Sequence, residues 1–214
     1  MKVSIIGQGY VGLTVGLFAA ESNQVIGYDL NISLVQQLNS GVSHVEGLPS
    51  KLLQKRLSTG NYRATSNPSE IDGSEIVIIA VPTPLTKNRL PDLSFIESAC
   101  YVVGKHLTNN ALIINESTSF PGTVRNFIKP TIEKIANKSK HEYSVSPERV
   151  DPGRENWNQH NTPRLFAGLS KVASDRTRDF YQEFCKNLVE VSSPEVAEAA
   201  KLFENTFRQV NIAL

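Results

Sequence analysis

Polar and apolar positions along the chain fall into an alternating succession of two patterns. Short runs that are almost wholly apolar occupy residues 2–6, 24–28, 62–65, 75–81, 111–115, 143–145, 165–168 and 188–191. Runs of this length and unbroken character predict strands buried on both faces of a parallel sheet. Between them lie stretches with helical spacing: residues 13–21, 32–38, 48–57, 93–106, 121–136 and 170–186. Leu34, Val35 and Leu38 set the spacing of the second, and Asn39-Ser40-Gly41 stops it. Pro121-Gly122-Thr123 opens the helix that reaches about Ala136, with Thr123 as its expected cap. A last helix starts at Pro194, after the cap candidates Ser192 and Ser193. Strands alternating with helices predict an α/β fold, a doubly wound, mostly parallel Rossmann-type sheet with helices on both faces.

The first two strands bracket the most informative stretch. After the apolar run comes Gly7-Gln8-Gly9-Tyr10-Val11-Gly12, then a small-residue helix, then a second apolar run closed by Asp29. Glycine spacing of this kind means little by itself in a chain with 13 glycines. Its setting gives it weight: it leaves a strand, opens a helix and is followed about 20 residues on by an acid, the dinucleotide-binding fingerprint. In that reading Gly7 permits the tight turn, Gly9 lets backbone N–H groups approach a pyrophosphate, and Gly12 lets the helix sit close to the sheet. The helix N-terminus favours the anion. Asp29 would accept the adenine-ribose hydroxyls and repel a 2′-phosphate, which favours NAD over NADP. The plainer alternative makes Asp29 a turn residue leading into the helix near Asn31.

Composition narrows the classes without choosing among enzymes. A length of 214 residues holds one α/β domain plus an extra element. Apolar and charged fractions of 40% and 20% are those of an ordinary globular chain, and a net charge of +1 gives no reason to expect nucleic acid or an anionic membrane as partner. The two cysteines, Cys100 and Cys185, sit in half-apolar helical segments, so inert buried thiols in a reducing compartment are expected, with no disulfide framework and no metal site. The N-terminal apolar run is too short for a signal peptide, and cytoplasm is the expected compartment.

In an open α/β sheet, ligands bind beyond the carboxyl ends of the strands. Four polar exits therefore converge: Gly7 to Gly12, Pro82-Thr83, Ser117-Thr118 and Glu148-Arg149. Thr83 and Thr118 are each able to bind ribose, nicotinamide amide or an ordered water, or to act only as turn and cap residues. Glu148, after a proline at a strand end, reads either as an acid tuned for proton transfer or as a surface acid paired to Arg149 or Arg154. Trp157, in the polar turn 154–162, reads as local packing rather than a lid. On the last helix Val196, Ala200, Phe203, Phe207 and Val210 share one stripe, with Lys201, Asn205 and Arg208 on the opposite side. A polar face is ordinarily just solvated, yet this trio would also serve to hold a phosphorylated or hydroxyl-bearing ligand.

With these residues in hand, the chain resembles the UDP-glucose/GDP-mannose dehydrogenase family of NAD-dependent nucleotide-sugar 6-dehydrogenases. The resemblance runs through the glycine motif, Val81-Pro82-Thr83-Pro84-Leu85, Glu116-Ser117-Thr118 with Pro121-Gly122-Thr123, Ser146-Pro147-Glu148-Arg149, and Glu198-Ala199-Ala200-Lys201 with Glu204-Asn205. Residues 147–153 look more like the branch acting on UDP-N-acetylglucosamine or UDP-N-acetylmannosamine than the UDP-glucose branch. The resemblance implies oxidation of the sugar C6 alcohol to a carboxylate by two NAD⁺, through a cysteine-bound thiohemiacetal and thioester. It places Gly7, Gly9, Tyr10, Val11, Gly12, Asp29, Pro82, Thr83 and Thr118 at the cofactor. Glu148 falls at the acid/base position, Arg149 and Val150 at substrate contacts, and Lys201 at the lysine that stabilises oxyanion charge. Asn205 and Arg208 fall where substrate or an ordered water is held, and Thr118 joins the catalytic group.

Two departures from the family pattern stand out. Leu34 occupies a position, five after the ribose acid, that is often basic in the family. The nucleophilic cysteine belongs to a Gly-x-Cys motif in a second α/β domain, and neither Cys100 nor Cys185 has that setting. The expected organisation is therefore a NAD-binding domain over residues 1–193 and the start of a connecting helix over 194–214, a truncated piece or fragment that binds NAD without completing turnover. Homodimerisation through that helix, with Phe207, Val210 and Leu214 exposed, is the expected assembly. The competing readings are a stand-alone NAD-binding or dimerisation module and a two-electron β-hydroxyacid dehydrogenase.

Overall fold

The structure, a computed structural model, describes residues 1–136, 140–148 and 159–213. Arg149, Val150, Arg154, Trp157 and Leu214 lie outside the described residues. Among the described residues, eight strands form one sheet: β1 (Lys2–Ile6), β2 (Gln24–Tyr28), β3 (Tyr62–Thr65), β4 (Ile76–Ile79), β5 (Leu112–Asn115), β6 (Glu142–Val145), β7 (Arg164–Gly168) and β8 (Leu188–Glu190). Their spatial order is β3-β2-β1-β4-β5-β6-β7-β8. The first six run parallel, with Ile5 beside Gly27 on one side and Ile78 on the other. Strand β7 is antiparallel to β6 and β8 runs with β7, so the parallel arrangement expected from alternation holds through β6 and reverses after it.

Helices α1 (Tyr10–Ala19), α2 (Ile32–Asn39), α3 (Ser50–Ser58), α4 (Ser94–His106), α5 (Lys129–Ile135), α6 (Lys171–Tyr181) and α7 (Pro194–Ala213) cover the sheet. The period-two geometry of strands sends alternate residues to opposite faces, and both faces are apolar. Val3, Ile5, Ile76, Ile78, Leu112 and Ile114 pack with Leu13, Leu17, Leu53 and Phe180 on one side. Val77, Ile79 and Ile113 pack with Ile96, Val103, Ile128, Ile132 and Ala197 on the other. That two-sided core is why the strands read as continuous apolar runs. Among the described residues, no helix is long and apolar enough to cross a membrane.

Element boundaries moved where tertiary contacts replaced local signals. Helix α1 begins at Tyr10, ahead of the first apolar residues that suggested residue 13. Helix α6 ends at Tyr181, and the expected continuation to residue 186 is instead a turn in which Phe184 and Cys185 are buried. The segment after Gly122 starts as a wide π-type turn over Val124–Ile128 before α5. Thr123 does not cap it: its hydroxyl donates to the Phe120 carbonyl at 2.6 Å. The cap is Glu198, from α7, which accepts from Gly122 N at 2.6 Å and Val124 N at 3.0 Å.

Helix α7 turns the usual amphipathic logic round. Its buried residues are Pro194, Ala197 and Glu198, whereas Val196, Phe203, Phe207 and Val210 are exposed. The apolar stripe thus faces away from the domain, and the side bearing Glu198 and Lys201 faces it.

Candidate functional site

The order of strands reverses direction between β1 and β4, and a crevice opens there, as the topology of open α/β sheets requires. Two adjoining pockets occupy it. An apolar pocket of about 310 Å³ is bounded by Gly7, Gly9, Asp29, Leu34, Pro82 and Phe95, among others. A polar one of about 190 Å³ is bounded by Val11, Thr83, Glu116, Thr118, Glu148 and Lys201, with Ala80, Val81 and Pro82 shared between the two.

The glycine loop shapes the first. Gly7 has φ +93°, and a Cβ there would stand 2.6 Å from the Ala80 carbonyl oxygen. A Cβ on Gly12 would stand 1.9 Å from the Gly7 oxygen, so only glycine lets α1 start against the strand end. Gly9 differs: a Cβ there would meet nothing within 4 Å. That open space lies at the start of a helix with no side-chain cap and no acid in its first turn, which leaves its N–H groups available to an anion. Gln8 locks the loop from beneath. Its amide donates to the Ile5 and Gly7 carbonyls, both at 3.0 Å, and its oxygen accepts from Tyr62 Oη at 2.7 Å.

Asp29 combines both readings of it. Oδ2 accepts from Gln8 N at 2.7 Å and Oδ1 from Asn31 N at 2.9 Å, which fixes the carboxylate at the mouth of the apolar pocket. Each oxygen can accept a further bond, as two ribose hydroxyls need. Asn31 in turn caps α2 through Leu34 N at 3.1 Å, and Leu34 becomes an apolar wall of the same pocket. An uncapped helix start, open space at Gly9 and a fixed acid suit the phosphates and ribose of a dinucleotide.

The second pocket is assembled from distant parts of the chain. Val81 N donates to Ser117 Oγ at 2.9 Å, tying the β4 exit to the β5 exit. Lys201 Nζ donates to the Glu148 carbonyl at 2.6 Å, joining α7 to the β6 exit. Behind them lies a buried polar network that sequence reasoning missed. Arg164 Nη1 bonds Glu116 Oε1 at 2.9 Å, the Tyr181 hydroxyl donates to the same oxygen, and Arg164 Nη2 donates to Gln159 Oε1 at 2.7 Å. The Arg164 guanidinium also stacks 4.3 Å from the Tyr181 ring centre. Gln159 Nε2 approaches Glu148 Oε1 at 3.4 Å. Burial pushes the Glu116 carboxyl up against the pull of Arg164. For Arg164 burial works the other way and is the largest single influence, but Glu116, together with Tyr181, Cys185 and Glu148, outweighs it and holds the guanidinium above its ordinary range. The one hint in the sequence was Glu116 next to the polar exit Ser117-Thr118; nothing local ties it to an arginine 48 residues on.

The two pockets bring together Gly7, Gly9, Val11, Asp29, Pro82, Thr83, Thr118, Glu148 and Lys201. Gly12 sits buried beneath them, and Tyr10 is half-buried at the start of α1. Glu148 is buried, not the surface acid of the alternative reading. Asn205 and Arg208 border neither pocket; they lie farther along α7, half-buried and exposed respectively. Both cysteines are free and buried, and burial pushes the Cys100 thiol up to about 12 and that of Cys185 upward also. Thiols held protonated in this way are poor nucleophiles.

Comparison with known proteins agrees with this geometry. The UDP-N-acetyl-D-mannosamine dehydrogenase of Pyrococcus horikoshii is 35% identical over 218 residues, covering 100% of this chain and 52% of that protein. A UDP-N-acetyl-D-glucosamine 6-dehydrogenase of Pseudomonas aeruginosa is 29% identical, covering 100% of this chain and 51% of its own. A solved structure of UDP-D-ManNAc dehydrogenase from Pyrococcus horikoshii superposes with a TM-score of 0.92 at 34% identity, over 100% of this chain and 52% of that one. The chain thus spans about half the length of the curated relatives it matches. Residues 1–185 match the NAD binding domain of the UDP-glucose/GDP-mannose dehydrogenase family, and the chain belongs to that family.

Proposed function

We propose that this chain supplies the cofactor half of an NAD-dependent UDP-sugar 6-dehydrogenase, oxidising the C6 alcohol of a UDP-N-acetylated amino sugar to the uronic acid. The observation that carries the proposal is the pair of adjoining pockets at the switch point: one apolar with an acid at its mouth, the other lined by Thr118, Glu148 and Lys201. Gly9, Tyr10, Val11 and Asp29 would hold the phosphates and adenosine ribose of NAD, with Pro82, Thr83 and Thr118 toward the nicotinamide end. NAD⁺ bound there supplies the hydride acceptor.

The chain's own residues supply the rest. Lys201, fixed by the Glu148 carbonyl, would stabilise negative charge developing on the sugar oxygen. The Glu148 carboxyl, enclosed beside it, would take up or return the proton of the reacting alcohol or water. Arg149, Val150, Asn205 and Arg208 are proposed to contact substrate. Neither Cys100 nor Cys185 is suited to carry a covalent intermediate, so a nucleophile for the second oxidation lies elsewhere than on these two thiols. Residues 1–193 are proposed as the NAD-binding unit and 194–214 as a connecting helix whose exposed Phe203, Phe207 and Val210 pair with a second copy, in the cytoplasm.

The test is to supply the natural gene product with NAD⁺ and, in turn, UDP-N-acetylmannosamine, UDP-N-acetylglucosamine and UDP-glucose. Two NADH per sugar, fastest with an N-acetylated sugar, is expected. One NADH per sugar would move the assignment to a two-electron dehydrogenase, and none from any UDP-hexose would overturn it.

A further inference from the structure

Glu198 is 1% exposed, a carboxylate taken almost wholly out of water, which is tolerated only where its oxygens are hydrogen-bonded. Its partners all belong to one loop. Oε2 accepts from Gly122 N at 2.6 Å, and Oε1 accepts from Val124 N at 3.0 Å and stands 3.4 Å from Ser119 Oγ. Ser119 also receives a bond from Asn115 Nδ2 at 3.2 Å, at the very end of β5. The segment that carries Ser117 and Thr118 is therefore held at its far side by α7 and at its near side by the sheet.

Three residues on, along the same face of α7, stands Lys201. Its amine reaches the Glu148 carbonyl and borders the polar pocket that Thr118 also lines. Pro194, Ala197 and Glu198 are the residues of α7 buried against the domain, and Phe203, Phe207 and Val210 of its apolar stripe are exposed, so the hold on its depth and rotation comes from the side that carries Glu198 and Lys201. The surface ion pair of Glu195 with Arg125, 2.6 Å, adds a second, solvent-exposed tie to the same segment.

We propose that Glu198 is a positioning residue: by clamping α7 to the loop after β5, it fixes Lys201 relative to Thr118 in the pocket both line. It touches no reacting atom and acts through Lys201. The proposal rests on the reading of Lys201 and Thr118 as site residues, and its test separates the two.

The experiment measures how fast each lysine amine of this chain is acylated, resolved by peptide mass spectrometry, at a temperature where every variant is folded. In Glu198→Gln one acceptor oxygen becomes an N–H₂ group facing the backbone N–H donors, so the clamp opens while the side chain keeps its size. Labelling of Lys201 should rise several-fold while Lys51 and Lys55 on α3 keep their rates. Should the glutamine variant not fold, Glu198→Asp, which keeps the charge and shortens the reach, carries the same expectation. A Lys201 rate that stays unchanged in a folded variant, or a rise shared by all lysines, would overturn the proposal, since a purely structural cap lowers stability without singling out Lys201. In the natural gene product Glu198→Gln should lower kcat by a larger factor than it raises KM for NAD⁺. If Lys201 labelling rises but Lys201→Ala retains full turnover, the clamp stands and the catalytic reading of Lys201 falls.

Discussion

The two pockets of the crevice are built on opposite plans. The apolar one comes largely from a continuous run, β1 through the start of α2, with a wall from α4. The polar one gathers residues from the ends of β4, β5 and β6, with Val11 of α1 and Lys201 of α7, and is backed by a buried ion pair between Glu116 and Arg164. A site made from one stretch is specified by backbone geometry, and its key residues are glycines and a turn acid. A site gathered from distant strand ends needs buried polar partners to keep it in register, and those partners carry the larger energetic risk.

The sharpest way to break the second plan while sparing the first is Arg164→Ala. Removing one partner of a buried pair leaves the other charge uncompensated, and stability should fall by about 3–5 kcal/mol in urea denaturation. Replacing both members, Glu116→Gln with Arg164→Met, should be less damaging than the sum of the single changes, a coupling a double-mutant cycle measures directly. The counterpart in the first plan is Gly12→Ala. Its Cβ would have to push α1 off the Gly7 carbonyl, at about 1–3 kcal/mol in thermal unfolding, with a matching loss of NAD affinity because the phosphate-facing loop moves with it.

Function separates the pockets more finely. Asp29→Ala should weaken NAD binding by about 1.5–3 kcal/mol, the range for hydrogen bonds to a charged group, read by titration calorimetry. Lys201→Ala should leave that affinity nearly unchanged. The opposite ranking would exchange the roles assigned to the two ends of the crevice.

The smallest effect concerns the outer tie of α7. Arg125 beside Glu195 holds its carboxyl well below the usual range, at about 2. A depressed folded-state value means the pair stabilises above the unfolded carboxylate's range, near 4.5, and the contribution fades as pH falls toward 2. Both side chains are substantially exposed, so the contribution is screened to about 0.5 kcal/mol. The stability difference between the parent chain and Glu195→Gln should therefore shrink between pH 7 and pH 3.

Legibility in the sequence follows the same division. The strands, the glycine loop, Asp29 and the start of α7 were readable because each is encoded by neighbours in sequence: apolar runs, a spacing of glycines, a proline after serines. The exits at Thr83, Thr118 and Glu148 were readable through topology, since parallel strands share one ligand edge. Arg164, Gln159, Tyr181 and the cap at Glu198 were not. Each owes its place to a partner many residues away, and Thr123 looked like the cap because the donors it would satisfy are its own neighbours. The reversal at β7 was likewise invisible, because an apolar run carries no sign of its direction. On α7 the expected exposure of Phe207 and Val210 holds, whereas helical spacing alone read the polar side as solvated and the part of it bearing Glu198 and Lys201 is turned toward the domain.

The central claim is that both pockets hold a single NAD molecule, its adenosine end at Asp29 and its nicotinamide end between Thr83, Thr118 and Lys201. A crystal structure of the chain grown with NAD tests it most directly. The account predicts a diphosphate on the N–H groups at the start of α1, with ribose hydroxyls on the Asp29 carboxylate. A dinucleotide bound away from this crevice, or lying in it with its ends exchanged, would contradict it.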